Sequence, residues 1–159
     1  MCGFIGLFGK SSFVSYEKIT KMSHLLNHRG PDNESFHYFS LDSNVNYSFQ
    51  KNKFSKEESF LDGFLAFNRL SIQDLSYKAN QPMISNSGHV VIVFNGEIYN
   101  TNYLKQILLK KGCNFKTTSD TEILLFLYLE FGLDILLDMV DGMYAISIVD
   151  LRNKTISIP

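Results

Sequence analysis

The chain of 159 residues has little net charge, few cysteines and no long hydrophobic run, and each of these absences excludes a class of protein. A net charge of −1 gives no positive field for nucleic acid and no polybasic patch for a membrane surface. No apolar stretch approaches the roughly 20 residues that a membrane-spanning helix needs. The amino terminus has no basic segment followed by an apolar one, so we expect no signal peptide and a cytoplasmic protein.

The sequence also gives little indication of a metal site or a cofactor site. The two cysteines, Cys2 and Cys113, do not have the spacing of a metal site, and the four histidines show no ligand spacing. A disulfide between the cysteines is open in principle, but the chain lacks the cysteine density of secreted domains. There is no glycine-rich phosphate-binding loop. We therefore expect this chain to bind neither a metal nor a cofactor.

The most informative residue that is present is Cys2, which directly follows Met1. If Met1 is removed, residue 2 carries both a thiol nucleophile and a free α-amine, and the amine can serve as its base. We expect this removal. The alternative is a small buried cysteine at the start of a first strand.

Hydrophobic periodicity predicts an α+β chain. Apolar and β-branched runs predict strands, and apolar residues at helical spacing predict helices between them. The predicted strands cover 3–8, 35–40, 45–50, 63–70, 90–94, 143–150 and 155–158, and the predicted helices begin near Ser15, Asn100, Ser119 and Asp134. Because the strands cluster as hairpins, we expect antiparallel sheets, packed face to face with helices outside.

Local signals add detail to this prediction. The first helix is expected to bury four apolar residues, with the polar segment 51–59 as a surface connection; these four are Ile19, Met22, Leu25 and Leu26. Asn95-Gly96 predicts a tight turn directly after the central strand. Asn100 is expected to cap a helix, and the pattern S-x-x-E at 119–122 predicts a capping box.

Several polar residues would suit a small zwitterionic substrate. The Asn95 amide and the Gly96 backbone N–H could stabilise the oxyanion formed when a thiolate attacks an amide, although Asn-Gly pairs usually form only a turn. Arg69 could bind a carboxylate, whereas Glu97 and Asp120 could bind an ammonium group. The alternatives are a surface arginine, a solvated glutamate and an aspartate that complements a helix dipole.

Seven motifs occur in an order that closely resembles the glutaminase domain of class II glutamine amidotransferases, specifically of glutamine-hydrolysing asparagine synthetases. They are CGFIG at 2–6, HRGPD at 28–32, RLSI at 69–72, QPM at 81–83, NGEIYN at 95–100, SDTE at 119–122 and DGMYA at 141–145. The resemblance implies an N-terminal-nucleophile hydrolase fold, which is a four-layer αββα sandwich. It also implies that Cys2 forms a glutamyl thioester and releases ammonia from glutamine.

The resemblance assigns roles residue by residue. Asn95 and Gly96 would form the oxyanion hole, and Arg69 would bind the α-carboxylate of glutamine. Glu97 and Asp120 would bind its α-amine. The HRGPD run would shape a loop near the site, and Asn100 would support the turn at 95–96. Backbone groups would line the same pocket at three further positions, which are Leu70, Ile72 and Gln73.

The chain also departs from the family pattern. Ala66-Phe67 stands where family members often have Gly-His. Family members continue beyond the position of Pro159 into a domain that activates aspartate with ATP. We therefore expect residues 1–159 to be a glutaminase domain that is incomplete at its C-terminus, with ATP and Mg needed only by the missing synthetase domain.

The expected partners are L-glutamine, a synthetase domain or partner chain that receives the ammonia, and a second copy of the chain. Two alternatives stay open. The module could supply ammonia to another acceptor, such as a sugar carboxylate in polysaccharide synthesis, or it could be a non-catalytic glutamine-binding fragment.

Overall fold

The computed structural model describes residues 2–9, 16–42, 45–50 and 62–159, which form two antiparallel four-stranded sheets with helices on their outer faces. Sheet A has the strand order β1-β4-β2-β3, and sheet B has the order β5-β6-β7-β8. The strands are β1 (Gly3–Phe8), β2 (Asn33–Ser40), β3 (Val45–Gln50), β4 (Gly63–Arg69), β5 (Met83–Ile84), β6 (Val90–Ile98), β7 (Gly142–Asp150) and β8 (Thr155–Ser157). The helices are α1 (Tyr16–Leu25), α2 (Thr101–Lys110), α3 (Asp120–Phe131) and α4 (Leu133–Met139), with a short 3₁₀ turn at Tyr77–Ala79.

The alternation of side chains along the strands creates three apolar layers. On β4, Phe64 and Ala66 face α1, where they pack with Ile19. The intervening residues of β4 face sheet B and pack with Val91 and Val93 of β6. The opposite face of β6 packs against the other three helices, in a cluster that includes Ile92, Phe94, Leu104, Leu124 and Leu136. The order of layers is therefore α1, sheet A, sheet B and α2–α4, which confirms the predicted αββα sandwich.

The buried face of α1 differs from the prediction. Ile19 is fully buried, but Met22 and Leu25 are 38% and 73% exposed. Ser23, one turn after Ile19, is also fully buried, and its hydroxyl donates a 2.8 Å hydrogen bond to Oδ1 of Asn68 on β4. A polar contact, which hydrophobic spacing does not reveal, therefore sets the orientation of this helix. Ser15 and the segment 51–59 lie outside the described residues.

The predicted turn at Asn95-Gly96 is wrong. Strand β6 continues through both residues to Ile98, and Gly96 lies opposite Tyr144 of β7. A Cβ atom at Gly96 would lie 2.2 Å from the backbone oxygen of Met143. Glycine is thus required here by the close approach of two strands and not by a turn conformation.

Two predicted helix caps are formed differently. The Ser119 hydroxyl accepts a 3.2 Å hydrogen bond from Thr121 N, as expected, but Glu122 does not complete the capping box. Its carboxylate instead accepts hydrogen bonds from the N–H groups of Lys116 and Thr117. Asn100 precedes α2 without capping it through its side chain, which bridges the chain near residues 139 and 141.

Candidate active site

A cavity of about 590 Å³ collects residues from both sheets, from the loop after β4 and from the start of α3. Every residue proposed for the site from the sequence lines this cavity. They are Cys2, Arg69, Leu70, Ile72, Gln73, Asn95, Gly96, Glu97 and Asp120. The fold therefore brings together groups that are up to 118 positions apart in the sequence, between residues 2 and 120.

Cys2 is held immediately before β1 by contacts with backbone groups. Its sulfur accepts a hydrogen bond from Leu70 N at 3.3 Å, and Leu70 O lies 3.5 Å from the same sulfur. The Nε atom of Arg29 donates to the backbone oxygen of Cys2 at 3.0 Å. The thiol is half-buried and lines the cavity, so it is placed where a bound ligand can reach it.

Arg69 ends β4 with its side chain buried against the loop that follows. Its Nη1 atom donates to Ser76 O at 3.0 Å and to Asn80 Oδ1 at 2.6 Å, and its Nη2 atom donates to Asp74 O. A guanidinium has five N–H donors, so two remain, on Nε and Nη2. None of the ion pairs found among the described residues involves Arg69. A positive charge without a carboxylate partner therefore lines the cavity, which suits an anionic group of a ligand.

The N–H group of Gly96 is placed as a donor by the alternation of β6. Phe94 N donates to Gln81 Oε1 at 2.6 Å, and Ile98 N donates to Asp120 Oδ2 at 3.1 Å, both on the side of β6 away from β7. Gly96 lies midway between them, so its N–H points to the same side. Strand β5 pairs only with Val91 and Ile92, so no strand among the described residues covers this position. Gly96 N–H is therefore available to a ligand in the cavity.

Asn95 provides a second group beside this donor. It is half-buried and stands on the same face of β6 as Val91 and Val93, which is the face toward sheet A. Cys2 packs in the same layer between the sheets. Together, Asn95 and Gly96 can supply a side-chain amide and a backbone N–H on the wall opposite the thiol.

Two carboxylates, those of Glu97 and Asp120, also line the cavity. Burial raises the pKa of Asp120, the nearby Glu97 carboxylate raises it further, and hydrogen bonds from Ile98 N–H and the Gln73 side chain oppose the shift. Asp120 is buried at the first position of α3, whereas Glu97 is exposed near the end of β6. An ammonium group bound here would relieve the repulsion between the two carboxylates.

Sequence reasoning missed several residues that build this site. Arg29 lines the cavity and contacts Cys2, and Asp32 accepts a 2.7 Å hydrogen bond from Ser71 N in the loop after β4. Gln81 takes the place of a strand beside Phe94, since its side chain both accepts from Phe94 N and donates to Phe94 O. Arg29, Asp32 and Gln81 all stand within the HRGPD and QPM motifs, so a signal was present, but it did not specify their contacts.

No group of three or more metal-ligating side chains occurs in the parts of the chain that the structure describes. Within those same residues, every helix is too short or too polar to cross a bilayer.

A protein-family model described as a glutamine amidotransferase domain matches residues 51–159. The chain belongs to this family. It is 34% identical to asparagine synthetase [glutamine-hydrolyzing] 2 of Oryza sativa subsp. japonica and 35% identical to the protein of that name from Bacillus subtilis (strain 168). These matches cover 98% and 97% of this chain but only 22% and 18% of the relatives, so the chain spans about a fifth of their length.

A solved structure of glutamine phosphoribosylpyrophosphate amidotransferase from B. subtilis is similar over 95% of this chain and 35% of its own, with a TM-score of 0.71 and 24% identity. At this identity the likeness concerns the fold. It confirms the N-terminal-nucleophile hydrolase architecture predicted for this amidotransferase domain.

Proposed function

We propose that this domain binds L-glutamine and hydrolyses its side-chain amide to glutamate and ammonia, with Cys2 as the N-terminal nucleophile after removal of Met1. One observation carries the proposal. Within the described residues, a single cavity is lined by a thiol, by an arginine that forms no ion pair with a carboxylate, by a backbone N–H that no strand covers and by a pair of carboxylates. These groups match the reactive and charged parts of glutamine one for one.

The charged groups of the cavity would orient the substrate. The two remaining N–H donors of Arg69 bind the α-carboxylate, and Asp120 with Glu97 binds the α-ammonium group. The side chain of glutamine then extends along the cavity toward Cys2. Holding the amide in this way makes the attack intramolecular in effect, which lowers its entropic cost.

The reaction follows from the groups around Cys2. The α-amine accepts the thiol proton, and the thiolate sulfur forms a bond to the amide carbon. Asn95 and Gly96 N–H stabilise the negative oxygen. The C–N bond then breaks as the ammonium of residue 2 returns its proton to the leaving nitrogen, which departs as ammonia. Water attacks the resulting thioester, releasing glutamate and restoring the thiol.

We assign the ammonia to a synthetase portion that uses ATP and Mg to make asparagine from aspartate, because the relatives are named glutamine-hydrolysing asparagine synthetases. The domain would thus be the glutaminase part of a larger activity, whether on one chain or with a partner chain. A free thiol nucleophile suits the reducing cytoplasm, where we place the protein. A homodimer stays a prediction.

The test begins with the intact mass of the purified protein, which shows whether Met1 has been removed. Processed protein should convert glutamine to glutamate and ammonia in equal amounts. Cys2→Ala should lower kcat at least about a thousandfold, since the nucleophile is lost. Cys113→Ala is the matched control and should retain activity, because the other cysteine does not line the cavity.

Two results would contradict parts of this proposal. Equal turnover by Cys2→Ala would remove the nucleophile assignment. Glutamine binding without hydrolysis by the processed protein would favour a non-catalytic binding module. The acceptor is tested separately, by adding ATP, Mg and aspartate to the longest natural chain and measuring asparagine. Amination of a sugar carboxylate under the same conditions would instead support the alternative acceptor.

A further inference from the structure

The loop from Leu70 to Asn80, which we call the clamp loop, holds the guanidinium of Arg69. Three acceptors on this loop, Asp74 O, Ser76 O and Asn80 Oδ1, occupy three of its N–H donors. The conformation of the clamp loop therefore decides where the two remaining donors point. Since those donors would bind the carboxylate of a ligand, carboxylate binding depends on what holds the loop.

The amine-binding part of the ligand site is built on the start of α3. Asp120 is the first residue of this helix, and Thr118 precedes it by two positions. The segment before the helix is fixed from within by Glu122, which accepts hydrogen bonds from the N–H groups of Lys116 and Thr117 at 2.9 and 2.7 Å. Thr118 N–H is not bound by Glu122 and donates elsewhere.

Asp74 connects these two parts of the site. Its Oδ1 atom accepts from Ser76 N at 2.8 Å within the clamp loop. Its Oδ2 atom accepts from Thr118 N at 2.8 Å and from Thr118 Oγ1 at 3.3 Å, across 44 positions of sequence. Hydrogen bonds from Ser76 and Thr118 lower the pKa of Asp74 to about 2, so the tether is a carboxylate at every pH at which the protein would work.

We propose that Asp74 is a positioning residue that sets the separation between the carboxylate-binding Arg69 and the amine-binding Asp120, and thereby selects α-amino acids that present both groups. Its side chain need not touch the ligand, since it acts through the clamp loop on one side and through Thr118 on the other. The proposal rests on the proposed function, because it assigns Arg69 and Asp120 to the two charged groups on the α-carbon of one substrate.

Loss of the contact between the Asp74 carboxylate and Thr118 should raise the KM for glutamine far more than it lowers kcat. Asp74→Asn keeps the size of the side chain but replaces one of the two acceptor oxygens with a donor, so Ser76 and Thr118 no longer each have an oxygen of their own. We expect the KM for glutamine to rise about tenfold, which corresponds to about 1.4 kcal/mol. The kcat value should change less than about threefold, because Cys2 contacts the clamp loop at Leu70, directly after β4 and four residues before Asp74, and Asn95 and Gly96 lie on β6.

Competitive inhibitors separate positioning from a general loss of structure. L-Glutamate presents both a carboxylate and an ammonium at the α-carbon, whereas glutarate lacks the ammonium. If Asp74 couples Arg69 to Asp120, Asp74→Asn should weaken inhibition by L-glutamate about tenfold and inhibition by glutarate much less. Asp74→Glu, which retains two acceptor oxygens, should restore part of the loss.

Asp42→Asn is the matched control. It removes an exposed carboxylate whose recorded ion pair is with Lys154, away from the cavity, and should leave both inhibition constants unchanged. Equal weakening of L-glutamate and glutarate inhibition by Asp74→Asn, or an unchanged KM, would overturn the positioning role while leaving the glutaminase proposal intact. If the processed wild-type protein neither binds L-glutamate by calorimetry nor hydrolyses glutamine, both proposals fail together.

Discussion

The two walls of the cavity are held in place by different means. On the sheet A wall, Cys2 and Arg69 lie at strand ends, and loop residues such as Arg29 and Asp74 fix their positions through polar contacts. On the sheet B wall, Asn95 and Gly96 lie inside the nine-residue strand β6, which pairs with β7 along its whole length. One wall therefore depends on individual side chains and the other on a continuous backbone ladder.

This difference fits what each wall has to do. Donors that stabilise a developing negative charge contribute most when they do not have to reorganise during the reaction, and a sheet interior provides that rigidity. Groups that receive and release a substrate tolerate a loop whose contacts can adjust. Substitutions in the sheet B wall should accordingly cost more than equivalent substitutions in the sheet A wall.

The largest effect should come from Gly96→Ala. Its Cβ atom would lie 2.2 Å from Met143 O, and two paired strands cannot separate locally without breaking their ladder. We expect a loss of about 3 kcal/mol in the free energy of unfolding, at the upper end of overpacking costs, together with loss of glutaminase activity. Urea denaturation and ammonia release would measure the two effects.

Gly30→Ala provides the comparison on the other wall. Its Cβ atom would lie 2.1 Å from Asn68 O, a clash as close as that at Gly96, but Gly30 lies between the turn at 26–29 and β2, outside any strand ladder. Gly30→Ala should therefore lower the free energy of unfolding by less than Gly96→Ala does. An equal or larger loss would show that the sheet A wall is at least as rigid as the sheet B wall.

Arg69→Lys should rank second, because an ammonium cannot replace the planar guanidinium. Lysine has too few donors in the right geometry to hold the clamp loop and a carboxylate together. We expect about a hundredfold loss in kcat/KM, or about 2.7 kcal/mol, mostly through KM. Steady-state kinetics with glutamine would test this. A loss confined to kcat would instead place Arg69 in the chemical step.

The sequence was sufficient to predict most of the architecture and a set of residues that the fold brings to one cavity. Strands such as β6 and β7 and the apolar helix α3 have patterns that leave few alternatives. The nine residues that were proposed for the site all lie in the seven motifs or, for Gln73, directly after one, and all of them line the cavity. In these segments the local residue preferences and the tertiary contacts favour the same secondary structure, as is typical of minimally frustrated sequences.

The errors arose where distant contacts override local preference. Asn95-Gly96 has the composition of a turn, but pairing with β7 keeps it extended. Met22 has helical spacing suited to a core, but the bond between Ser23 and Asn68 rotates the helix. The tether from Asp74 to Thr118 could not be predicted, because nothing in either segment specifies a partner 44 positions away.

Asp120→Asn should have opposite effects on stability and on binding. Because the pKa of Asp120 is raised, the folded state holds this proton more readily than the unfolded state does, and the ionised carboxylate lowers stability at neutral pH. The neutral amide should therefore increase the free energy of unfolding, while still accepting from Ile98 N. Glutamine binding should weaken about tenfold, because one of the two carboxylates facing the ammonium is lost.

The pH dependence of KM distinguishes this role of Asp120 from a purely structural one. In the wild-type protein, KM should rise as the pH falls toward the raised pKa of Asp120, since the protonated carboxyl no longer balances the ammonium group of glutamine. Asp120→Asn should lack this limb of the profile. A variant with the same acid limb as the wild type would exclude Asp120 from amine binding.

The smallest effect at neutral pH should come from His37, a buried residue of β2 in sheet A. Burial lowers its pKa from 6.5 to about 3, and its Nε2 atom has no hydrogen-bond partner among the described residues. Below pH 6.5 the unfolded chain takes up a proton that the folded state refuses. The free energy of unfolding should thus fall by up to about 1.4 kcal/mol per pH unit between pH 6.5 and about 3.

His37→Gln should remove this slope in urea titrations at pH 7.5, 6 and 5, whereas the exposed control His28→Gln should retain it. If His37→Gln kept the full slope, groups other than this buried histidine would cause the acid sensitivity. His37 would then not make sheet A more sensitive to acid than sheet B.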